Sequence, residues 1–431
     1  MSEVSLRVPA RLQIASALFP AAIFTSAALV FLVQPMIAKM LLPKLGGTPA
    51  VWNASMAFFQ AALLLGYGYA HLLQRVRDLR LQAAIHLAIL VAGSFVLPLS
   101  ITTVLGDPAS AGPVPWLLGV LLLSVGAPFA ALSATAPLLQ SWHARVHPDE
   151  AANPYALYVA SNTGSMLALI AYPLLVEPQL ALRPQTALWA GGYWAFAGLI
   201  LLLVPLLFRR ADRAVKTAAV AAASAEVITW KQRLAWIALT AAPSSLMLGV
   251  TTYISTDVAA APFMWVMPLA LYLLTFIIAF QDRPWIPVRG GRLGQAILVP
   301  LCLATIAFPK APWLVSLPVH LAGFFFAALV CHQAVAARRP GPAKLTEFYL
   351  FVSLGGVIGG ATTAFLAPVI FKMVLEYPLV LLATGLARPW KKGAIPRADL
   401  IVLLMGLAGS ALVYALRGDG STTIIVGVSA L

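Results

Sequence analysis

The reading of the fold turns on Phe31–Leu73, FLVQPMIAKMLLPKLGGTPAVWNASMAFFQAALLLGYGYAHLL. Two long apolar runs flank LPKLGGTP, a segment of turn-forming residues, so the stretch predicts a helical hairpin. Each run is long enough to cross a hydrocarbon layer at about 20 residues per crossing. Yet Gln34, Lys39, Asn53 and Gln60 lie in or beside them. Facing lipid, each would cost several kcal/mol, so they are expected to face protein or a wet cavity. The hairpin is therefore the first candidate for a solute-binding or gating site, against the alternative that isolated amides such as Gln34 and Asn53 join helices together. Pro35 removes a backbone donor and crowds the preceding turn, which predicts a kink beside Gln34.

Composition extends this reading to the whole chain. Of 431 residues 61% are hydrophobic and 10% charged, and the mean hydropathy is +0.91, far above a soluble domain. The chain reads as an all-α polytopic membrane protein. Its net charge of +14 comes from Lys and Arg scattered through short loops, not from a basic stripe, so nucleic acid is not an expected partner; membrane lipid is. Cys302 and Cys331 lie within apolar runs and form neither a disulfide framework nor a zinc site. Arg7 and Arg11 precede an apolar run too long for a signal-peptide core, which predicts an uncleaved first span.

Spans are expected near 12–42, 51–73, 81–104, 114–140, 155–176 and 186–208, then 234–259, 263–280, 293–308, 313–335, 345–371, a short one at 377–387, and 400–416. This divides the chain into an N-terminal six-helix bundle (1–208), a linker (209–233), a second bundle (234–389) and an extra C-terminal span or spans (390–431). The last residues, STTIIVGVSAL, read as an interrupted apolar run that would continue into another span. Alternate loops differ sharply in basic residues. One side holds Lys44, Arg183, Lys310, Lys372 and Arg417, Lys39 falls inside a span, and the other side holds the remainder of the 28. The positive-inside rule then predicts a cytoplasmic N-terminus and linker, and an inner-membrane location.

The halves echo each other. Pro49/Trp52 and Pro262/Trp265 form matching Pro-x-x-Trp turns, and YVASNTGS from Tyr158 matches YLFVSLGGV from Tyr349. Repeated bundles with a cavity between them are the general plan of secondary transporters. On FLVQPMIAKMLLPKLGGTPAVW, NPYALYVASNTGSMLALIAYPLLVEP, SSLMLGVTTYISTDVAAAPFMWVMPLALYLLTFIIAF and LTEFYLFVSLGGVIGG, the chain resembles the membrane part of the fused major-facilitator/spermidine-synthase family. The resemblance spans Phe31 to Pro389. It implies a 6+6 major-facilitator-like bundle, a polyamine as the small-molecule solute, and a spermidine-synthase-type activity where a soluble domain follows. No such domain is present in this sequence, so the alternative is a non-transporting scaffold for a separate synthase partner.

No catalytic motif, cofactor or metal site is expected. Gly355, Gly356, Gly359 and Gly360 are read as helix-packing positions because no strand-turn-helix context surrounds them. His143 and His147 are read as a solvated loop, not a metal face. Among acidic residues Asp257 and Glu347 are the candidates for meeting a cationic solute, with a cytoplasmic salt bridge the alternative for Glu347; Glu177 and Glu376 sit at outer span ends. Aligning the two Pro-x-x-Trp turns places Lys44 opposite Asp257, which suggests an ion pair acting as an outer gate. The Pro35 reading predicts that Pro35→Ala straightens the first span and slows transport without reducing membrane insertion; unchanged uptake at unchanged expression contradicts it.

Overall fold

A computed structural model describes residues 10–108, 113–146, 155–223, 227–258, 265–307 and 312–388. Among them the chain forms helices and loops, ordered as twelve helical spans: α1 Ala10–Leu45, α2 Pro49–Leu73, α3 Leu79–Gly93, α4 Pro113–Val146, α5 Leu157–Gln179, α6 Leu182–Ala223, α7 Trp230–Thr256, α8 Val266–Ala279, α9 Val288–Ala307, α10 Trp313–Ala336, α11 Leu345–Ile370 and α12 Glu376–Ala387. Nine of these are long and apolar enough to cross a membrane. The expected extra span at 400–416 lies outside the described residues.

Local chemistry sets the helix ends. Thr48 caps α2 by accepting from the Val51 amide, with Pro49 in the first turn where its missing N–H costs nothing. Asp78 caps α3 in the same way, and Thr229 with Gln232 forms a capping box on α7. Two boundaries differ from expectation. Helix α3 ends at Gly93, followed by a 3₁₀ turn to Val96, well short of 104; Leu97 is extended ahead of Pro98, as the residue before a proline tends to be. Helix α6 runs on to Ala223, so the initial stretch of the expected linker is helix, as its alanines favour. The helix of α1 is unbroken through Pro20, Pro35 and Pro43. Pro35 has no amide hydrogen to give the Phe31 carbonyl, its usual partner four residues back.

Four spans contain a π-helical turn: Leu122–Gly126 in α4, Tyr172–Val176 in α5, Ile254–Val258 closing α7, and Thr362–Leu366 in α11. In α4, α5 and α11 the turn ends two residues before a proline, Pro128, Pro178 or Pro368. A proline cannot donate and crowds the carbonyl four residues back, and the wider turn relieves that crowding. All four turns lie at the end of the molecule that carries the α1–α2 connection, called here the turn end; the end carrying the α6–α7 connection is the linker end.

Core packing divides largely at the linker, with Met56, Tyr158 and Leu169 of the first half joining the cores of the second. One apolar core is drawn from Phe19 to Leu207, around Phe129, Trp142, Tyr193 and Phe196. The others are centred on the second half, around Leu246, Phe324 and Tyr377 and around Trp236, Phe276 and Phe348. The halves meet where α2 packs on α11 and α5 on α8.

Lipid offers helices no hydrophobic reason to associate, so close approach and hydrogen bonds must hold them. The GGVIGG glycines supply the approach. A methyl group on Gly359 would lie 2.0 Å from the Ala241 carbonyl oxygen, and one on Gly355 would lie 2.0 Å from Thr240 Oγ1, so α11 rides directly on the α7 backbone. Gly356, by contrast, has open space where a Cβ would go. Gly359→Leu is therefore expected to lower unfolding stability in detergent by about 1–3 kcal/mol or more, and Gly356→Ala to change it by less than about 0.5 kcal/mol. Equal effects would contradict this packing.

Candidate functional site: a cavity between the halves

Between the two halves lies a cavity of about 150 Å³, walled by α1, α2, α4, α5, α8 and α11 with one residue, Met247, from α7. Gln34 and Gln60 of the hairpin are on its wall. The described wall carries no Asp, Glu, Lys, Arg or His; it offers Ser26, Ser133, Ser161, Asn162, Ser165 and Ser353 among aromatic rings from Phe31, Phe59, Tyr67, Phe129, Tyr158, Tyr272 and Phe276.

The polar groups of the wall are held by their own helices. Ser26, Ser133, Ser165 and Ser353 donate to carbonyls three or four residues back, at Ile23, Phe129, Ser161 and Leu350. Asn162 donates to the Tyr158 carbonyl at 2.9 Å. These bonds satisfy protons of the hydroxyls and of the amide inside the bilayer and leave the serine oxygens with acceptor capacity only.

The hairpin amides have fixed orientations. Gln60 Nε2 donates to Ser244 Oγ at 3.0 Å, and that hydroxyl in turn donates to the Gly356 carbonyl at 2.8 Å. Asn53 Nδ2 donates to Thr252 Oγ1 at 2.9 Å, while Thr252 donates to the Leu248 carbonyl. Because each hydroxyl proton is already committed, each amide must present its NH₂. Asn53 and Gln60 are seven residues apart and so share one face of α2. Together they zip α2 of the first half to α7 of the second. Gln34 turns its NH₂ to the Val30 carbonyl at 3.3 Å. All three amide oxygens, Gln34 Oε1, Asn53 Oδ1 and Gln60 Oε1, are then buried without a partner. That of Gln60 packs against Gly360, whose Cβ, if present, would lie 1.9 Å away.

Aromatic contacts bridge the halves at both ends of the cavity. At the turn end Trp52 stacks on Trp265, with centroids 3.7 Å apart and planes at 26°. At the linker end Tyr158 stacks on Tyr349 at 5.0 Å and 17°, Tyr67 lies 6.2 Å from the same ring, and Tyr349 donates to Gln140 at 2.6 Å. His71 reaches Thr346 at 3.1 Å beyond them. Each stack joins residues that the sequence repeat pairs, as happens to equivalent positions lying on a two-fold axis.

The remaining residues expected from the sequence lie off the described wall. Lys39 forms an ion pair with Glu177 of α5 in its own half, the two side chains partly exposed at 30% and 27%. Lys44 pairs with Asp107 of the α3–α4 loop and lies over the Trp116 ring at 5.9 Å. The hydrogen bond and charge of Lys44 hold the exposed Asp107 carboxyl below the usual carboxylate range. The side chain of Asp257 lies outside the described residues, so Lys44 is seen with Asp107 and its proposed partner is not in view. Glu347 is held at the linker end by Arg233 at 2.9 Å and Lys344 at 3.3 Å. His143 is buried edge-on to Phe19 near the end of α4, not in a solvated loop, because the helix continues to Val146; His147 lies outside the described residues. Sequence reasoning passed over Tyr67, Tyr158 and Tyr349 as functional residues. Their signal was the repeat itself, since an aromatic residue at equivalent positions in both halves can meet its counterpart.

No family model and no curated protein matches the chain. Solved structures do. The inward-open xylose transporter XylE from E. coli is 15% identical, with 91% of this chain and 99% of that chain covered at a TM-score of 0.53. A D-xylose-proton symporter gives 16%, 90%, 98% and 0.51, and the nucleoside transporter NupG 12%, 92%, 98% and 0.51. The chain therefore has the major-facilitator fold, a polytopic all-α bundle.

The zipper between α2 and α7 makes a measurable prediction. A double-mutant cycle of Asn53→Ala with Thr252→Val, read by unfolding in detergent, should give a coupling of about 0.6 kcal/mol and no more than about 1.7 kcal/mol. A coupling of zero would mean the two side chains do not meet.

Proposed function

We propose that the chain is an alternating-access carrier of a small solute, with the central cavity as its transport site and the two aromatic stacks as its gates. The observation that carries this is the pairing of repeat-related residues across the halves at both ends of one cavity, Trp52 with Trp265 and Tyr158 with Tyr349. Rocking one half against the other would open either stack while closing its counterpart. An aromatic pair is worth about 0.5–1.5 kcal/mol, so each stack biases the two states by only several-fold, which solute binding can reverse. The Lys and Arg distribution supports an inner-membrane orientation with the linker end in the cytoplasm.

The resemblance to the synthase-fused family makes a polyamine the named candidate solute. The described wall is neutral, and a polyamine would have to find its counter-charge at Asp257 or do without one. The test is uptake into proteoliposomes of labelled putrescine, spermidine and neutral solutes of similar size. Saturable uptake that stops when Trp52→Cys and Trp265→Cys are cross-linked, and returns on reduction, is expected. Saturable uptake that persists through the cross-link would contradict the gate, and failure of putrescine and spermidine alone would remove the polyamine form.

A further inference from the structure

What the central cavity can bind depends on the part of its wall that a solute can reach. The amide oxygens of Gln34 and Gln60 are sealed, and Ser26, Ser133, Ser165 and Ser353 are more than nine-tenths buried with their protons spent on their own helices. Surface remains on Phe31, Leu63, Tyr67, Ala136, Ser161 and Tyr272, which are partly exposed. The hydroxyls of Tyr67, Ser161 and Tyr272 make no hydrogen bond within the described structure and are not among its sealed atoms. Each can therefore both donate to a solute and accept from it. They lie toward one end. Tyr67 and Ser161 are in the linker-end halves of α2 and α5, and on α8 Tyr272 stands almost a turn nearer that end than Leu269. The reachable wall thus joins aromatic and aliphatic surface to a group of unused hydroxyls. With no ionised group on the described wall, a charged solute would stand uncompensated.

We propose that the solute is an uncharged amphiphile built on one aromatic ring, which packs that ring on the apolar wall and places a hydroxyl or amide group among Tyr67, Ser161 and Tyr272. The cavity measures about 150 Å³, the size at which an apolar protein cavity takes up one benzene. Rings on the wall favour a flat ring over a saturated one, because offset and edge-to-face contacts add to the gain from burial. A purely apolar ring would displace water from the three hydroxyls and replace none of its bonds. An ammonium would bring a charge the wall does not answer.

This inference rests on the carrier reading, and equilibrium dialysis separates the two. The full chain in nanodiscs is dialysed against radiolabelled phenol, cyclohexanol, toluene and putrescine, with empty nanodiscs as the blank for partition into lipid. Phenol should bind saturably, roughly two- to tenfold more tightly than cyclohexanol. In a variant combining Tyr67→Phe, Ser161→Ala and Tyr272→Phe, the phenol Kd should weaken roughly fivefold or more, the worth of one hydrogen bond, while that of toluene is unchanged. The variant is accepted only if it unfolds cooperatively; should it fail, Ser161→Ala and Tyr67→Phe measured singly carry the comparison. The inference is overturned if phenol does not saturate above the blank, if cyclohexanol or putrescine binds as tightly as phenol, or if the hydroxyl variants leave the phenol Kd unchanged or weaken toluene equally. Conformational exchange needs no solute to be seen, so phenol binding can fail while the carrier reading stands.

Discussion

Asn53–Thr252 and Gln60–Ser244 are the contacts on which the arrangement of the two halves depends. In hydrocarbon, helices gain nothing from hiding apolar surface, because lipid is as apolar as leucine. What remains is backbone approach, hydrogen bonding and ring packing. Within the second half, the glycines of α11 bring it onto α7. Between halves, two amides on one face of α2 reach hydroxyls on α7. Interhelical hydrogen bonds of this kind are worth about 0.6 kcal/mol on average, so these two fix how the halves meet more than how strongly they hold. Cores held largely within each half, and joined across it by directional contacts and a few shared side chains such as Met56, Tyr158 and Leu169, are what the proposed rocking motion requires.

The same economy explains the cavity. A polar wall in a membrane is stable only if its protons are placed, and here the serines and Asn162 place theirs on their own helices. The orientation of Gln34, Asn53 and Gln60 follows from bonds already committed around them, and three amide oxygens are left over. Several charges near the spans are treated differently and neutralised locally: Lys39 by Glu177, Lys44 by Asp107, and Glu347 by Arg233 with Lys344. Charge is thus used to hold neighbouring elements, while the described wall of the central space stays neutral. The π-turns at the turn end add a second feature, since a widened turn beside a proline is a place where a helix can change pitch at small cost.

Much of this was legible in the residues. Apolar runs of about 20 residues located most of the spans because a bilayer fixes the length, and the short run at 377–387 marked α12. The end of α3 was misjudged because the stretch from Leu97 to Val104 carries no charge and reads as a continuation of the span, although the helix had already ended at Gly93. Gln34 and Gln60 could be chosen for the cavity because an amide in lipid must have a reason. Lys39 and Glu177 were read one at a time, as a stranded cation and a hydrated acid, when their opposite signs on α1 and α5 were the clue to pairing. The stacks were half visible: the repeat matched Trp52 with Trp265 and Tyr158 with Tyr349, but a repeat gives equivalence and only the packing of the halves gives contact.

In the proposed carrier the two ends of the cavity open in alternation. Spin labels at Ala50 and Thr256 report the turn end, and labels at Leu72 and Ala343 the linker end; all four positions are exposed. Electron–electron distance measurements on each pair, in nanodiscs and with Cys302 and Cys331 replaced by Ala, read both ends under the same conditions. Two distance populations are expected at each end, with Trp52→Ala lengthening the turn-end distance and shortening the linker-end one. Single distances at both ends that do not move with that substitution, or that lengthen together, would contradict it.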